Sequence, residues 1–198
     1  MLPVGGRQNL LALYERQAEI RSGQKLAFVA DLDLWVFSNV PTEYVSSNLI
    51  FTNGYSIEND AFRDVDCERL LVPVEKQAFL DEMKIFAEWY ALAVSRCSGG
   101  GVLLDIHPNR ILNYPSERTR LTRLDPTEEY PSQLFDAVVA DYKRLMRGKS
   151  LFELFQRQMH GTRAARHNRK ALLEMAAVKP GPHIQTLFDA AKKALLVP

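Results

Sequence analysis

The chain has 198 residues, a formal net charge of +1 and a hydrophobic content of 46%. This length is sufficient for one domain with a sizeable core. The near-neutral net charge does not indicate what kind of partner the protein binds. No apolar run approaches the roughly 18 residues of a membrane span. The N-terminus also lacks the charged and apolar regions of a signal peptide. These features predict a cytoplasmic protein that has no membrane association.

The first sixty residues have the pattern of alternating helix and strand. Helical spacing of apolar residues predicts a helix over about 7–21. Continuous apolar runs at 26–30 and 48–52 then predict two strands that are covered on both faces, as in a parallel sheet. This order of elements indicates an α/β fold.

After about Asp60 the pattern becomes mostly helical. Ser150 is a candidate N-cap for one of these helices. Residues 102–127 contain three prolines and are predicted to form loops and short elements. Helices are predicted over 75–95, 131–146, 150–159, 166–177 and 184–195.

The two cysteines, Cys67 and Cys97, show neither metal-binding nor redox spacing. They are interpreted as small apolar residues in a reducing compartment.

Two aspartates, Asp31 and Asp33, follow the first predicted strand directly. Residues i and i+2 of an extended chain project to the same side, roughly 6.5 Å apart. The carboxyl ends of parallel strands are where open α/β sheets bind ligands. Two neighbouring carboxylates repel each other unless a cation lies between them, and oxygen ligands suit Mg²⁺. The alternative is that Asp31 caps a helix and Asp33 is a solvated loop residue.

Ser56 and Glu58 follow the second predicted strand with the same i, i+2 spacing. If the two strands are neighbours, Glu58 can reach the space in front of the aspartates. The alternative is a capping box, in which Ser56 or Asn59 begins a helix and Glu58 lies at its positive end. Both can hold together, since a helix N-terminus facing the same crevice also favours a phosphate.

The segments "LPVGGRQNL", "FVADLD" and "IFTNGYSIEND" resemble the Toprim domain. They are most similar to a Toprim-like family of prokaryotic proteins that pair with ABC-type ATPases in anti-phage defence. They are also similar to the nuclease part of overcoming-lysogenization-defect proteins. The resemblance covers about residues 1–62 and implies a Toprim-like α/β core there, with a mainly helical region over 63–198.

The resemblance also implies an activity, a metal and partners. In the family the D-x-D and S-x-E motifs form a metal-dependent nuclease site, so Asp31, Asp33 and Glu58 would bind Mg²⁺ or Mn²⁺, and Ser56 would join them in catalysis. The expected activity is hydrolysis of DNA or RNA phosphodiester bonds in an antiviral defence module. The expected partners are a nucleic acid, an ABC-type ATPase and other copies of the chain.

The chain departs from the family at its start. Family members have a first strand with a glutamate before the "PVGG" segment, whereas this sequence begins at "MLPVGG". The expected sheet is therefore truncated, with an unpaired edge that invites pairing with another chain. A second hypothesis follows, in which the chain is a catalytically inactive Toprim-like binding or regulatory protein that partners an ATPase.

A basic stretch provides the candidate nucleic-acid surface. No acidic residue occurs from Leu154 to Leu173, and such a surface is suited to phosphates. The alternative is a solvated helix pair whose arginine stems pack on the core. "MRGKSLFELF" also resembles a family segment with Gly-Lys, which adds Lys149. The candidate nucleic-acid-binding residues are Lys149, Arg157, Arg163, Arg166, Arg169 and Lys170.

Overall fold

A computed structural model describes residues 2–20, 25–97 and 104–196. In these ranges the protein is mixed α/β, mostly helical, with one small parallel sheet. Helix α1 (Arg7–Glu15) precedes strand β1 (Phe28–Ala30), and β2 (Leu49–Phe51) follows after two short 3-10 turns. The predicted order of helix and strands is confirmed. The first helix is predicted to reach residue 21, but α1 ends at Glu15 and a short 3-10 turn (Gln17–Glu19) follows it.

The sheet consists of β1 and β2, paired in parallel with Val29 opposite Ile50. The ladder continues at both ends, where the amide of Phe28 donates to Asn48 O (2.7 Å) and the amide of Thr52 donates to Ala30 O (3.0 Å). A small apolar cluster of Leu11, Phe28 and Leu49 joins the sheet to α1. The carboxyl ends of the two strands therefore lie side by side, as the sequence predicts for neighbouring strands.

The large core lies in the helical part of the molecule. Helix α3 (Pro73–Cys97) is its centre, with Phe86, Trp89 and Tyr90 fully buried or nearly so. The helices that follow are α4 (Pro108–Leu112), α5 (Pro115–Thr122), α6 (Ser132–Ala140), α7 (Tyr142–Leu145), α8 (Gly148–Arg157), α9 (Gly161–Arg166), α10 (Arg169–Val178) and α11 (Pro182–Leu196). None of the helices in the described ranges is both long and apolar enough to cross a membrane.

Helix α2 (Ile57–Asp64) connects the sheet to this core. It begins just beyond the end of β2, and its Phe62 packs edge-on against Phe152 and Phe155 of α8. The predicted division of the chain at residue 62 falls within this helix. Asp60, also on α2, is buried and accepts the amides of Asn53 and Gly54, both at 2.9 Å. These bonds fix the loop between β2 and α2.

Several predicted helix boundaries differ from the structure. The helix predicted over 131–146 is interrupted at Asp141, which has φ −133° and ψ 45°. The helix predicted over 166–177 is α10, which begins later, at Arg169, whereas Arg166 is the last residue of α9. Helix α8 begins at Gly148, so the prediction of Ser150 as its N-cap is wrong, and Ser150 lies inside the first turn.

Candidate functional site

Asp31 and Asp33 lie immediately beyond the carboxyl end of β1, but the chain is no longer extended there. Asp33 begins a 3-10 turn (Asp33–Phe37) and has a positive φ of 48°. This conformation is unfavourable for a residue with a Cβ, and the amide of Asp33 is held by a 2.7 Å bond to Tyr55 O. The two carboxylates are placed by this turn rather than by strand alternation.

Asp31 is partly buried at the end of β1. Its Oδ1 accepts the amide of Ile57, the first residue of α2, at 2.9 Å. The pKa of Asp31 is raised to about 6, chiefly by burial and to a smaller extent by the negative charges of Glu58, Asp33 and Asp60, while the hydrogen bond from the Ile57 amide opposes the rise. Asp31 therefore lies in the electrostatic field of the other two predicted acids.

Asp33 is paired with a cation that the sequence analysis did not identify. Arg7 Nε lies 3.4 Å from Asp33 Oδ2, and the guanidinium also donates to Leu32 O and stacks 4.2 Å from the Trp35 ring centroid. Burial raises the pKa of Asp33, while Arg7, Arg147 and Lys149 oppose that rise. Asp33 thus faces basic groups from α1 and from the start of α8.

Ser56 is the N-cap of α2, and Asn59 completes a capping box with it. Asn59 Oδ1 accepts the Ser56 amide (3.0 Å) and hydroxyl (3.1 Å), and its Nδ2 donates to Lys143 O and Met146 O. The capping alternative is therefore confirmed for Ser56 and Asn59. Glu58 occupies the first turn of the same helix and is only partly buried.

Helix α8 packs its first residue directly against these side chains. A Cβ on Gly148 would lie 2.4 Å from Ser56 Oγ and 2.7 Å from the Cβ of Glu58, so only glycine allows this approach. The contact places Arg147 and Lys149 beside the acidic group. The predicted Lys149 is exposed, and its positive charge acts on Asp33.

A cleft of about 240 Å³ opens next to Asp31. Gly5, Arg7, Thr52, Ile57 and Phe188 of α11 are among its lining residues. Thr52 ties the two strand ends together, because its Oγ1 accepts the Leu32 amide (3.1 Å) and donates to Gly54 O (2.8 Å).

The side chains of the site are of the right chemical type for a hard divalent cation, but they are not grouped as metal ligands in the structure. Asp31, Asp33 and Glu58 are oxygen donors on one edge of the fold, which is the donor type that Mg²⁺ uses. Within residues 2–20, 25–97 and 104–196, however, no three His, Cys, Asp or Glu side chains are grouped to hold a metal ion. The Arg7 contact at Asp33 and the Ile57 amide at Asp31 occupy part of the donor set.

The residues predicted to contact nucleic acid do not form one uniform surface. Arg157 pairs with Glu82 through two nitrogens, both at 2.8 Å, and Arg163 pairs with Glu75 at 2.7 Å. Both side chains therefore join α8 and α9 to the α3 region. Lys170 is exposed and lies 3.8 Å from Glu174. Arg166 and Arg169 form no ion pair within the described residues, and Arg166 is exposed.

Arg7 and Arg147 are the site residues that sequence reasoning missed. Arg7 follows the Gly5-Gly6 pair, and Arg147 precedes the Gly-Lys dipeptide. No sequence spacing marks either residue as part of the site, because each is brought near Asp33 only by the tertiary fold.

A scan against protein-family models, a search of the curated proteins and a search of the solved structures each found no match.

Proposed function

We propose that the protein is a Toprim-like nuclease that cleaves DNA or RNA phosphodiester bonds with Mg²⁺ or Mn²⁺, acting as the effector of an anti-phage module with an ABC-type ATPase partner. One observation carries the proposal. Asp31, Asp33 and Glu58, from two separate segments, lie in one another's electrostatic field at the carboxyl ends of two parallel strands. The motif resemblance to the Toprim domain supports the same residues.

The roles of the residues follow from their positions. Asp31, Asp33 and Glu58 would hold the metal, which when bound neutralises phosphate charge and lowers the pKa of water. Ser56 lies beside them at the N-terminus of α2, where amides favour an anion. Arg7, Arg147 and Lys149 supply positive charge next to the carboxylates, which suits a phosphodiester backbone.

A second candidate function is favoured by the ion pair between Arg7 and Asp33. With Arg7 in that position, Asp33 has a cation already and a metal is not needed for charge balance. The chain would then be a catalytically inactive Toprim-like protein that binds nucleic acid or regulates an ATPase partner.

A cleavage assay separates the two functions. The protein is incubated with plasmid DNA and with structured RNA, in Mg²⁺, Mn²⁺ or EDTA. We expect metal-dependent cutting that Asp31→Asn abolishes, because the substitution removes a metal-binding charge while keeping the side-chain shape. Asp136→Asn, at an exposed site on α6, is the matched control and retains the activity.

Cutting that persists at wild-type rate in Asp31→Asn would show that the site lies elsewhere. Absence of cutting in every metal, together with retained binding of the same nucleic acids, would support the inactive binding protein.

A further inference from the structure

A small cavity lies at the start of α8, on the part of its first turn that carries Lys149 and Ser150. Its volume is about 120 Å³, which is sufficient for one small group but not for a nucleotide. The charged and polar residues that line it are Asp105, His107, Arg147, Lys149, Ser150 and Glu153.

Ser150 is one of the lining residues, and its hydroxyl is buried without a partner among the described residues. Ser150 is only 1% exposed, and its Oγ makes no hydrogen bond in the structure. A buried hydroxyl without a partner is unfavourable, and native proteins rarely retain one without an internal water or a ligand. The oxygen therefore indicates that the cavity accepts a hydrogen-bonding group.

The N-terminus of α8 presents unused donors at the same place. Arg147, the N-cap, makes no side-chain cap bond. Leu151 is the first residue whose amide bonds back, to Arg147 O at 3.0 Å. The amides of Gly148, Lys149 and Ser150 therefore have no acceptor within the helix, and the ten-residue helix places its positive end there.

The charges around the cavity leave Lys149 as the cation available to a ligand. Arg147 Nη2 pairs with Asp105 Oδ1 at 2.7 Å. His107 Nδ1 accepts the Asn109 amide at 3.1 Å, so Nε2 carries the hydrogen that faces Glu153. Both carboxylates thus have partners, whereas Lys149 forms no ion pair with any described residue and is exposed.

We propose that this cavity binds a single phosphate group through the Ser150 hydroxyl, the first-turn amides of α8 and Lys149. The same first turn contacts Ser56 and Glu58 through Gly148, so a phosphate held here is next to the acidic site. Its assignment to a nucleic-acid strand rests on the proposed function, whereas binding of inorganic phosphate does not.

Calorimetric titration of the full chain with inorganic phosphate, at constant ionic strength, tests the site. We expect Ser150→Ala to bind phosphate about tenfold more weakly, since it removes one hydrogen bond to a charged group. Lys149→Met also weakens binding. Lys193→Met, which removes an exposed lysine on α11, leaves binding unchanged. Ser150→Ala should fold at least as stably as wild type without phosphate, because it removes a buried hydroxyl that has no partner.

Two oligonucleotides identify the source of the phosphate. One carries a 5′-phosphate and the other a 5′-hydroxyl. A preference for the 5′-phosphate that disappears in Ser150→Ala assigns the group to a nucleic-acid end. Ser150-dependent binding of inorganic phosphate alone assigns it to the free ion.

Equal phosphate affinity of wild type and a folded Ser150→Ala would overturn the proposal, as would wild-type protein that binds neither inorganic phosphate nor the 5′-phosphate selectively. A chain that binds phosphate through Ser150 but cleaves nothing keeps this site and loses the proposed nuclease activity.

Discussion

Asp31 combines partial burial with three neighbouring carboxylates, and this combination has a consequence for stability. The pKa of Asp31 in the folded protein is about 6, above the value of about 3.9 for an unfolded chain. An acid whose pKa is raised by folding favours the folded state most below pH 4, where both states hold the proton. That contribution is lost as the pH rises through 6, because the unfolded chain releases the proton more easily.

Asp31→Asn should therefore stabilise the protein at high pH only. The amide oxygen can still accept the Ile57 N–H, while the substitution removes a charge that is disfavoured first by burial and then by the negative charges of Glu58 and Asp33. We expect the variant to gain about 2 kcal/mol in the free energy of unfolding at pH 8 in EDTA, and almost none at pH 4. Urea unfolding at both pH values measures the difference.

Asp136→Asn, at an exposed site on α6, is the comparison and should change stability by about 0.5 kcal/mol or less at either pH. Equal stability of wild type and Asp31→Asn at pH 8 would mean that Asp31 is not in the buried, repulsive surroundings described above.

The same residue shows how far side-chain chemistry could be predicted from the sequence. Asp31 and Glu58 could be placed near one edge of the sheet because the two strands that precede them were predicted to be parallel neighbours, and β1 and β2 pair in this way. The i, i+2 spacings themselves did not place them, since Asp33 lies in a 3-10 turn and Glu58 lies on α2. The ion pair of Arg7 with Asp33 could not be predicted, because the two residues are far apart in the chain and no local pattern marks the contact.

At the scale of elements, the contact between α2 and α8 depends on Gly148. A Cβ at this position would approach Ser56 Oγ to 2.4 Å and Asn59 Oδ1 to 2.7 Å, which are distances that no packed side chain tolerates. Gly148→Ala should therefore push α8 away from α2 and strain the capping box. We expect a loss of about 2 kcal/mol in the free energy of unfolding, measured by urea denaturation.

Gly6→Ala is the matched control for this substitution. A Cβ at Gly6 meets no atom within 4 Å, and the residue has φ −62°, so the change should cost less than about 1 kcal/mol. If the two alanine variants were equally stable, the close packing of α8 on α2 would be disproved.

The helix boundaries that were predicted wrongly are also set by contacts between residues that are distant in the sequence. Apolar periodicity continues through Asp141, so the pattern alone predicts one helix where the structure has α6 and α7. Ser150 has the chemistry of an N-cap, but packing of Gly148 against Ser56 and Asn59 starts α8 two residues earlier. Strands β1 and β2 were predictable because their signal, a continuous apolar run, lies within the strands themselves.

At the scale of the whole molecule, the apolar core is divided unequally between the sheet and the helices. The cluster that holds α1 on the sheet has three buried residues, Leu11, Phe28 and Leu49. The helical cluster around α3 is several times larger and includes its largest buried aromatics. Since opening free energies follow the apolar contacts that must break, the candidate site lies between a weakly held part and a strongly held part of the protein.

Native-state hydrogen exchange should resolve these two parts. Amides of α1 and β1 are expected to exchange through an opening at least about 2 kcal/mol smaller than global unfolding, whereas the central amides of α3 exchange only when the whole protein unfolds. Leu11→Ala should lower the protection of α1, β1 and α3 by similar amounts, because the contacts of Leu11 are lost both in the smaller opening and in global unfolding. Leu92→Ala, at a buried position on α3, should lower the protection of α3 by about 2–5 kcal/mol. The amides of α1 and β1 should change only where global unfolding becomes easier than their own opening, because α3 stays folded in that opening. One common opening free energy for α1, β1 and α3 would show instead that the sheet and the helical core unfold as a single unit, and that Asp31 and Asp33 are held as firmly as α3.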